Sequence, residues 1–112
     1  MESTRLKQLF GFLESMPNDA FILFAIAKEY EGLKNTEKAL EYYLKLTKDH
    51  TDYVGTYYHL GKLYEKSGDF PTAFRTYKAG MARAKAAGDQ HALSELAGAK
   101  LELGDEEDFE EI

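Results

Sequence analysis

Three histidines, His50, His59 and His91, are the first side chains to test for chemistry, because imidazole can ligate a metal or carry a proton near neutral pH. They fall in different segments, with no i,i+4 pairing and no His-Glu metal spacing. Cysteine is absent, which excludes a thiolate metal site, a thiol nucleophile and a disulfide framework. Carboxylates are plentiful, yet a catalytic one needs an apolar niche that raises its pKa, and the sequence indicates none. Nor is there a glycine loop to cradle a phosphate. Gly61, Gly80 and Gly98 fall inside expected helices, and Gly32, Gly68, Gly88 and Gly104 fall at their ends. The pattern points away from an enzyme, a metal site or a bound cofactor. The chemistry that remains is recognition. Aromatic rings beside Lys and His offer contact area at low entropy cost, and the cations orient a carboxylate or carbonyl. The candidates are Phe21, Phe24, Lys28 and Glu31, then Tyr58, His59, Lys62 and Glu65, with His91 further on.

The elements that must hold these residues follow from a self-similarity at an offset of 34 positions. Lys28, Tyr30, Glu31, Ala39 and Tyr43 fall on Lys62, Tyr64, Glu65, Ala73 and Tyr77. In residues 53–67, Tyr57, Leu60, Gly61 and Tyr64 recur at i, i+3, i+4, i+7, one face of a helix. Gly61 stands in the middle of that face, where glycine costs about 1 kcal/mol of propensity relative to alanine. A neighbouring helix pressed against bare backbone would offset that cost. Ala27 is the matching small residue in the first unit. Ser67-Gly68-Asp69 then ends the helix, Gly suiting the left-handed position and Asp capping the next N-terminus, with Pro71 in the first turn. The second helix is expected from about Phe70 to Ala87, with Ala73, Phe74, Tyr77 and Met81 inward.

The first unit repeats the logic. Asn18 or Asp19 caps a helix through Gly32, with Leu23, Ile26, Ala27 and Tyr30 inward; Asn35-Thr36 caps a second to about Asp49, with Ala39, Leu40, Tyr43 and Leu46 inward. Each hairpin exposes an apolar face it cannot bury alone, so the units are expected to stack. The spacing Tyr57-x2-Leu60-Gly61-x2-Tyr64, then Ala73-x3-Tyr77, resembles the tetratricopeptide repeat, with Tyr57 in place of the usual Trp and Tyr77 in place of Phe. Leu23-x2-Ile26-Ala27-x2-Tyr30, then Ala39-x3-Tyr43, is a looser copy, and neither copy ends with the customary Pro. The resemblance implies an all-α helical-hairpin solenoid of about six helices in one domain. Its parts are an N-terminal capping helix (1–19), repeat 1 (20–53), repeat 2 (54–87), a C-terminal capping helix (88–104) and an acidic tail (105–112).

The flanks fit that plan. Leu6, Leu9, Phe10 and Leu13 form a helical stripe ending near Met16-Pro17. After Gly88-Asp89 a helix resumes to about Leu103 and stops at Gly104. Leu96, Ala99 and Leu103 make one stripe on it, and Leu93, Ala97 and Leu101 make a second beside it. The second stripe is either part of a wide buried face or an exposed surface that pairs with another copy or a partner.

Charge narrows the partner. Within 112 residues of net charge −6, residues 54–87 hold six basic and two acidic side chains, while residues 88–112 hold one basic and nine acidic. That acidic end argues against nucleic acid, and DEEDFEEI reads as a solvated, frayed tail. The longest early apolar run, LFGFL, is too short for a signal peptide or a membrane span, so no membrane association and a soluble, cytoplasmic protein are expected. The resemblance also argues against one role. Members that grip carboxylate-terminated chaperone tails use Lys, Asn and Arg on their first helices, where this chain carries Phe24, Lys28, His59, His91 and Glu95.

Two functions stay open. One is an adaptor that binds a protein or peptide segment in a concave groove lined by the residues named above. The other is a self-associating structural protein, a homodimer through Leu93, Ala97 and Leu101, or through an acidic tail reaching the helix of Arg75, Lys78, Arg83 and Lys85 on a neighbour.

Overall fold

The computed structural model describes residues 3–109, which hold seven helices and no strand. They are α1 (Thr4–Ser15), α2 (Ala20–Gly32), α3 (Thr36–Asp49), α4 (Gly55–Lys66), α5 (Phe70–Ala87), α6 (Gln90–Leu103) and α7 (Glu106–Phe109). Two compact units divide between Tyr53 and Val54. The starts follow from capping chemistry. Side-chain oxygens of Ser3, Asp19, Asn35, Asp69 and Asp89 each accept from the amide three residues on, satisfying a donor that the first helical turn leaves open. Asp19, not Asn18, is therefore the cap of α2. Of the six longer helices α4 alone begins without such a bond, after Val54.

In the first unit, α1 lays Leu6 and Leu9 against Ile22 and Ile26 of α2. Phe10, Tyr30 and Tyr42 close the edge of this core as a ring cluster, with centroids 5.9–6.4 Å apart. Ala27, Ala39, Tyr43 and Leu46 are fully buried. Tyr43 of α3 donates its hydroxyl to Glu31 of α2 at 2.7 Å. The α2–α3 turn contains the one non-glycine positive φ among the described residues, Lys34 at 63°. Lys34 is the 34-residue counterpart of Gly68, whose φ is 83°. The left-handed position therefore falls two residues after Gly32, the glycine that the sequence offered as the stop.

In the second unit, Tyr57, Ala73, Tyr77, Ala84, Leu96 and Ala99 form the core. Gly61 is buried against Tyr77: a Cβ there would lie 2.2 Å from the ring's Cε1. Gly80 does the same for α5, where a Cβ would meet Tyr57 Cβ at 2.5 Å and Leu96 Cδ1 at 3.1 Å. Tyr77 donates its hydroxyl to Glu65, repeating the Tyr43–Glu31 bond of the first unit. Met81, expected inward, is only half-buried, and the buried places in that part of α5 belong to Gly80 and Ala84.

The acidic end departs from expectation. Residues 106–109 form a helical turn, not a frayed tail, and make a seventh helix where about six were expected. Glu106 accepts from Lys78 Nζ at 2.9 Å and from Lys100 Nζ at 3.3 Å, and the Phe109 ring stacks on Phe74 with centroids 4.3 Å apart. Charges from α5 and α6 thus relieve the repulsion that the run of acids implied. The remaining tail residues, 110–112, lie outside the described residues.

Candidate functional site

The α2 face begins at Phe21, which is 68% exposed in the first turn after the Asp19 cap. One turn on, Phe24 is half-buried, its ring 6.2 Å from Tyr43 and 5.5 Å from Tyr53. Lys28, a further turn along, is exposed. With Arg5 of α1, Ala25 and Glu29, these three line an open cleft of about 380 Å³. Glu29 is engaged there: Arg5 Nε lies 3.5 Å away and the Ser3 hydroxyl donates to it at 2.9 Å. The cleft therefore combines an uncovered ring with two cations and one committed carboxylate. Arg5, Ala25 and Glu29 escaped sequence reasoning because the 34-residue pattern starts after them or passes over them, and nothing in α1 marks its polar face as facing α2.

Glu31 has a different role. It holds the Tyr43 hydroxyl, and burial together with that bond raises the Tyr43 phenol well above its usual pKa. It does not pair with Lys28 as the i,i+3 spacing suggested. The equivalent pair does form in the second unit, Lys62–Glu65 at 3.6 Å.

On α4, Tyr58 and His59 are half-buried with their rings 5.6 Å apart and nearly perpendicular. Lys62 Nζ sits 5.5 Å from the centre of the Tyr58 ring, a cation–aromatic contact, and Tyr58 also leans on Tyr77 at 6.4 Å. Glu65 receives both Lys62 and the Tyr77 hydroxyl, and burial and that bond raise the Tyr77 phenol as they do Tyr43. The second set thus resolves into an exposed-edge pair, Tyr58–Lys62, and a carboxylate held by the core. His91 is exposed in the first turn of α6.

The second α6 stripe divides. Leu93 and Ala97 are half-buried and, with Met81, Ala82, Lys85 and Ser94, line a cleft of about 590 Å³; Leu101 is 73% exposed. His50 is accounted for by a bond from Nε2 to the Asn18 carbonyl at 2.7 Å. No group of three or more His or carboxylate side chains is placed to hold a metal ion among the described residues, and no described helix is long and apolar enough to cross a membrane.

Residues 22–48, most of α2 and α3, match the family profile described as Tetratricopeptide repeat. The crystal structure of a tetratricopeptide repeat domain protein from Salinibacter ruber is similar at 43% identity, covering 77% of this chain and 96% of that one, with a TM-score of 0.74. The chain belongs to the tetratricopeptide-repeat family. A solution NMR structure of a tetratricopeptide repeat domain protein from Salinibacter ruber gives the same identity, 43%, with 79% and 89% covered and a TM-score of 0.76. A solution structure of a Bordetella parapertussis protein, 23% identical, shares the fold at a TM-score of 0.77 over 92% of this chain and 89% of that one. No curated protein sequence matches. As a tetratricopeptide-repeat chain, the protein has the all-α helical-hairpin fold of a protein–protein interaction module.

Proposed function

We propose that this tetratricopeptide-repeat chain is a non-enzymatic adaptor that takes a peptide segment of a protein partner on its α2 face. The observation that carries this reading is Phe21, a large ring 68% exposed at the rim of a cleft that also holds Arg5 and Lys28. A ring so placed loses apolar surface to water unless something covers it, and the adjacent cations suit a carboxylate or a peptide carbonyl. Tyr58 with Lys62 offers a second ring-and-cation pair of the same chemistry on α4. Glu31 and Glu65 hold tyrosine hydroxyls, so they position the helices that carry the rings. Phe21 and Lys28 are the contact residues of α2, with Phe24 as a partly buried base beneath them.

Affinity capture from native lysate, followed by mass spectrometry, names the partner, and variants then locate it. Phe21→Ala should lower capture at least tenfold with unchanged helicity, because its ring is mostly in water. Phe24→Ala and Tyr58→Ala should lower capture too, but with some loss of stability, since both rings pack on buried tyrosines. Undiminished capture by Phe21→Ala and Tyr58→Ala together removes these faces from consideration.

A second reading is favoured by Leu101. It stands 73% exposed one turn beyond Ala97, in line with the Leu93–Ala97 cleft. Self-association through this stripe would bury it. Sedimentation velocity across a hundredfold concentration range checks this: a strict monomer eliminates it, and a dimer dispersed by Leu101→Lys supports it.

A further inference from the structure

The contact between α7 and the helices beneath it has the parts of a receptor and its ligand. The receptor is built from two helices. Phe74 and Lys78 lie four residues apart on one face of α5, and Lys100 reaches in from α6 with its Nζ 4.8 Å from the Phe74 ring centre. The ligand is a single turn in which a carboxylate precedes an aromatic by three residues. Glu106 bridges both lysines, and Phe109 lies on Phe74 with 23° between the ring planes. The connecting turn is shaped to deliver it. Gly104 has φ 147°, and a Cβ there would sit 2.5 Å from Asp108 Oδ2 and 3.2 Å from Phe109 Cε2. The Asp105 amide donates to Asp108 at 2.9 Å, and the Glu107 amide donates to Asp105 at 3.0 Å.

Nothing in this arrangement requires the ligand to be covalently attached. A four-residue helix has no independent stability in water, so α7 holds its shape because it is seated. The Lys78–Glu106 pair is open to solvent, with both side chains at least half exposed, and Lys100 is the more sheltered partner; pairs to so exposed a carboxylate are individually weak. A short tether compensates by raising the local concentration of the segment over its site. We propose that Phe74, Lys78 and Lys100 form a docking site for an acidic-aromatic peptide segment of the form Glu-x-x-Phe on a partner protein, and that the chain's own Glu106–Phe109 occupies this site as a built-in competitor. The charge pattern favours this occupant. Two lysines meet one glutamate, and stacking selects an aromatic at the third position onward. The site uses none of the α2 and α4 residues, so it stands apart from the adaptor surface proposed above.

The test uses a fluorescein-labelled hexapeptide with the sequence of residues 104–109, GDEEDF, amidated at its C-terminus so that no extra carboxylate contributes. Its fluorescence anisotropy is followed against the full chain and against the double variant Glu106→Ala/Phe109→Ala, which vacates the site. The vacated variant should bind at least tenfold more tightly than the wild type. Adding Lys78→Glu and Lys100→Glu should abolish that gain, and raising salt from low to 0.5 M should reduce it. Equal binding by wild-type and vacated chains of native helicity overturns the proposal, as does binding indifferent to the two lysines. If the vacated variant fails to fold, the wild type is titrated with unlabelled peptide while amide NMR signals of residues 105–109 are followed. Displacement of those signals towards free-peptide values supports the proposal, and saturable binding without displacement overturns it. A wild-type dimer formed by exchange of α7 between copies would make a second copy the occupant and overturn the assignment to a partner.

Discussion

Replacing Gly61 by alanine sets two effects of opposite sign against each other. Alanine improves helix propensity by about 1 kcal/mol. The added methyl, however, would lie 2.2 Å from Tyr77 Cε1 and 2.7 Å from Cδ1 and Cζ, against an ordinary carbon–carbon contact of about 3.5–4.0 Å. The ring has little room to retreat. Tyr77 is fully buried, and its hydroxyl is tied to Glu65, one turn along the same helix as Gly61. Overpacking of this kind costs typically 1–3 kcal/mol, and the depth of the overlap puts this case at the upper end, about 3 kcal/mol. Loss of the hydroxyl bond adds about 1 kcal/mol. After the propensity gain the net destabilisation is about 3 kcal/mol, a fall in Tm on the order of 10 °C for a chain of this size. Thermal and urea unfolding followed by circular dichroism measure it. A Gly61→Ala variant as stable as the wild type would refute the claim that glycine is there for close approach. A coupled variant separates the causes. Gly61→Ala combined with Tyr77→Leu should be less destabilised than the sum of the two single changes by more than about 1 kcal/mol, because the smaller side chain makes room for the methyl.

Lys34→Gly should stabilise the chain by roughly 0.5–1 kcal/mol, since it relieves a left-handed lysine at φ 63° in a turn whose counterpart already carries glycine; an unchanged or lower urea midpoint would contradict this. Thr56→Val should raise stability by roughly 1 kcal/mol in the same assay, because the fully buried Thr56 hydroxyl has no hydrogen-bond partner among the described residues and valine keeps its shape; a loss would show that the hydroxyl is satisfied. Folding raises the phenol pKa of Tyr43 and of Tyr77 through burial and their bonds to Glu31 and Glu65, so the folded state keeps these protons where the unfolded chain loses them. Their contribution is intact below the free phenol value of about 10 and is lost as pH rises above it, so the urea midpoint should hold to about pH 10 and then fall. In Tyr43→Phe/Tyr77→Phe, the midpoint should start lower and fall less steeply; an identical slope in both proteins would assign alkaline sensitivity elsewhere.

The helices were readable because their ends carry local chemistry. Asp19, Asn35, Asp69 and Asp89 cap within three residues of themselves, and the 3.6-residue period needs no knowledge of the neighbouring helix. The four small residues Ala27, Gly61, Ala39 and Ala73 are buried as that period required. What escaped depends on residues distant in the chain. Gly80 carries no side chain for a periodicity to register, and only the approach of Tyr57 and Leu96 gives it a purpose. Residues 105–109 read as a repelling run until Lys78 and Lys100 supply the opposite charge. Glu31 has the right spacing for Lys28, but a tyrosine hydroxyl twelve residues away claims it. The residues proposed for recognition were half visible in the same sense. Phe21 and Lys28 follow from helical spacing, while Arg5 joins them only because α1 folds beside α2.

The tyrosine–glutamate bond appears twice, each time inside one helical pair and each time across only twelve residues of chain. Every pair thus carries its own fastener, and the fastener travels with it. Such a segment can be copied, excised or inserted without orphaning a half-buried carboxylate elsewhere. Lengthening or shortening the protein by whole 34-residue blocks would accordingly leave each of these tyrosines with its own glutamate.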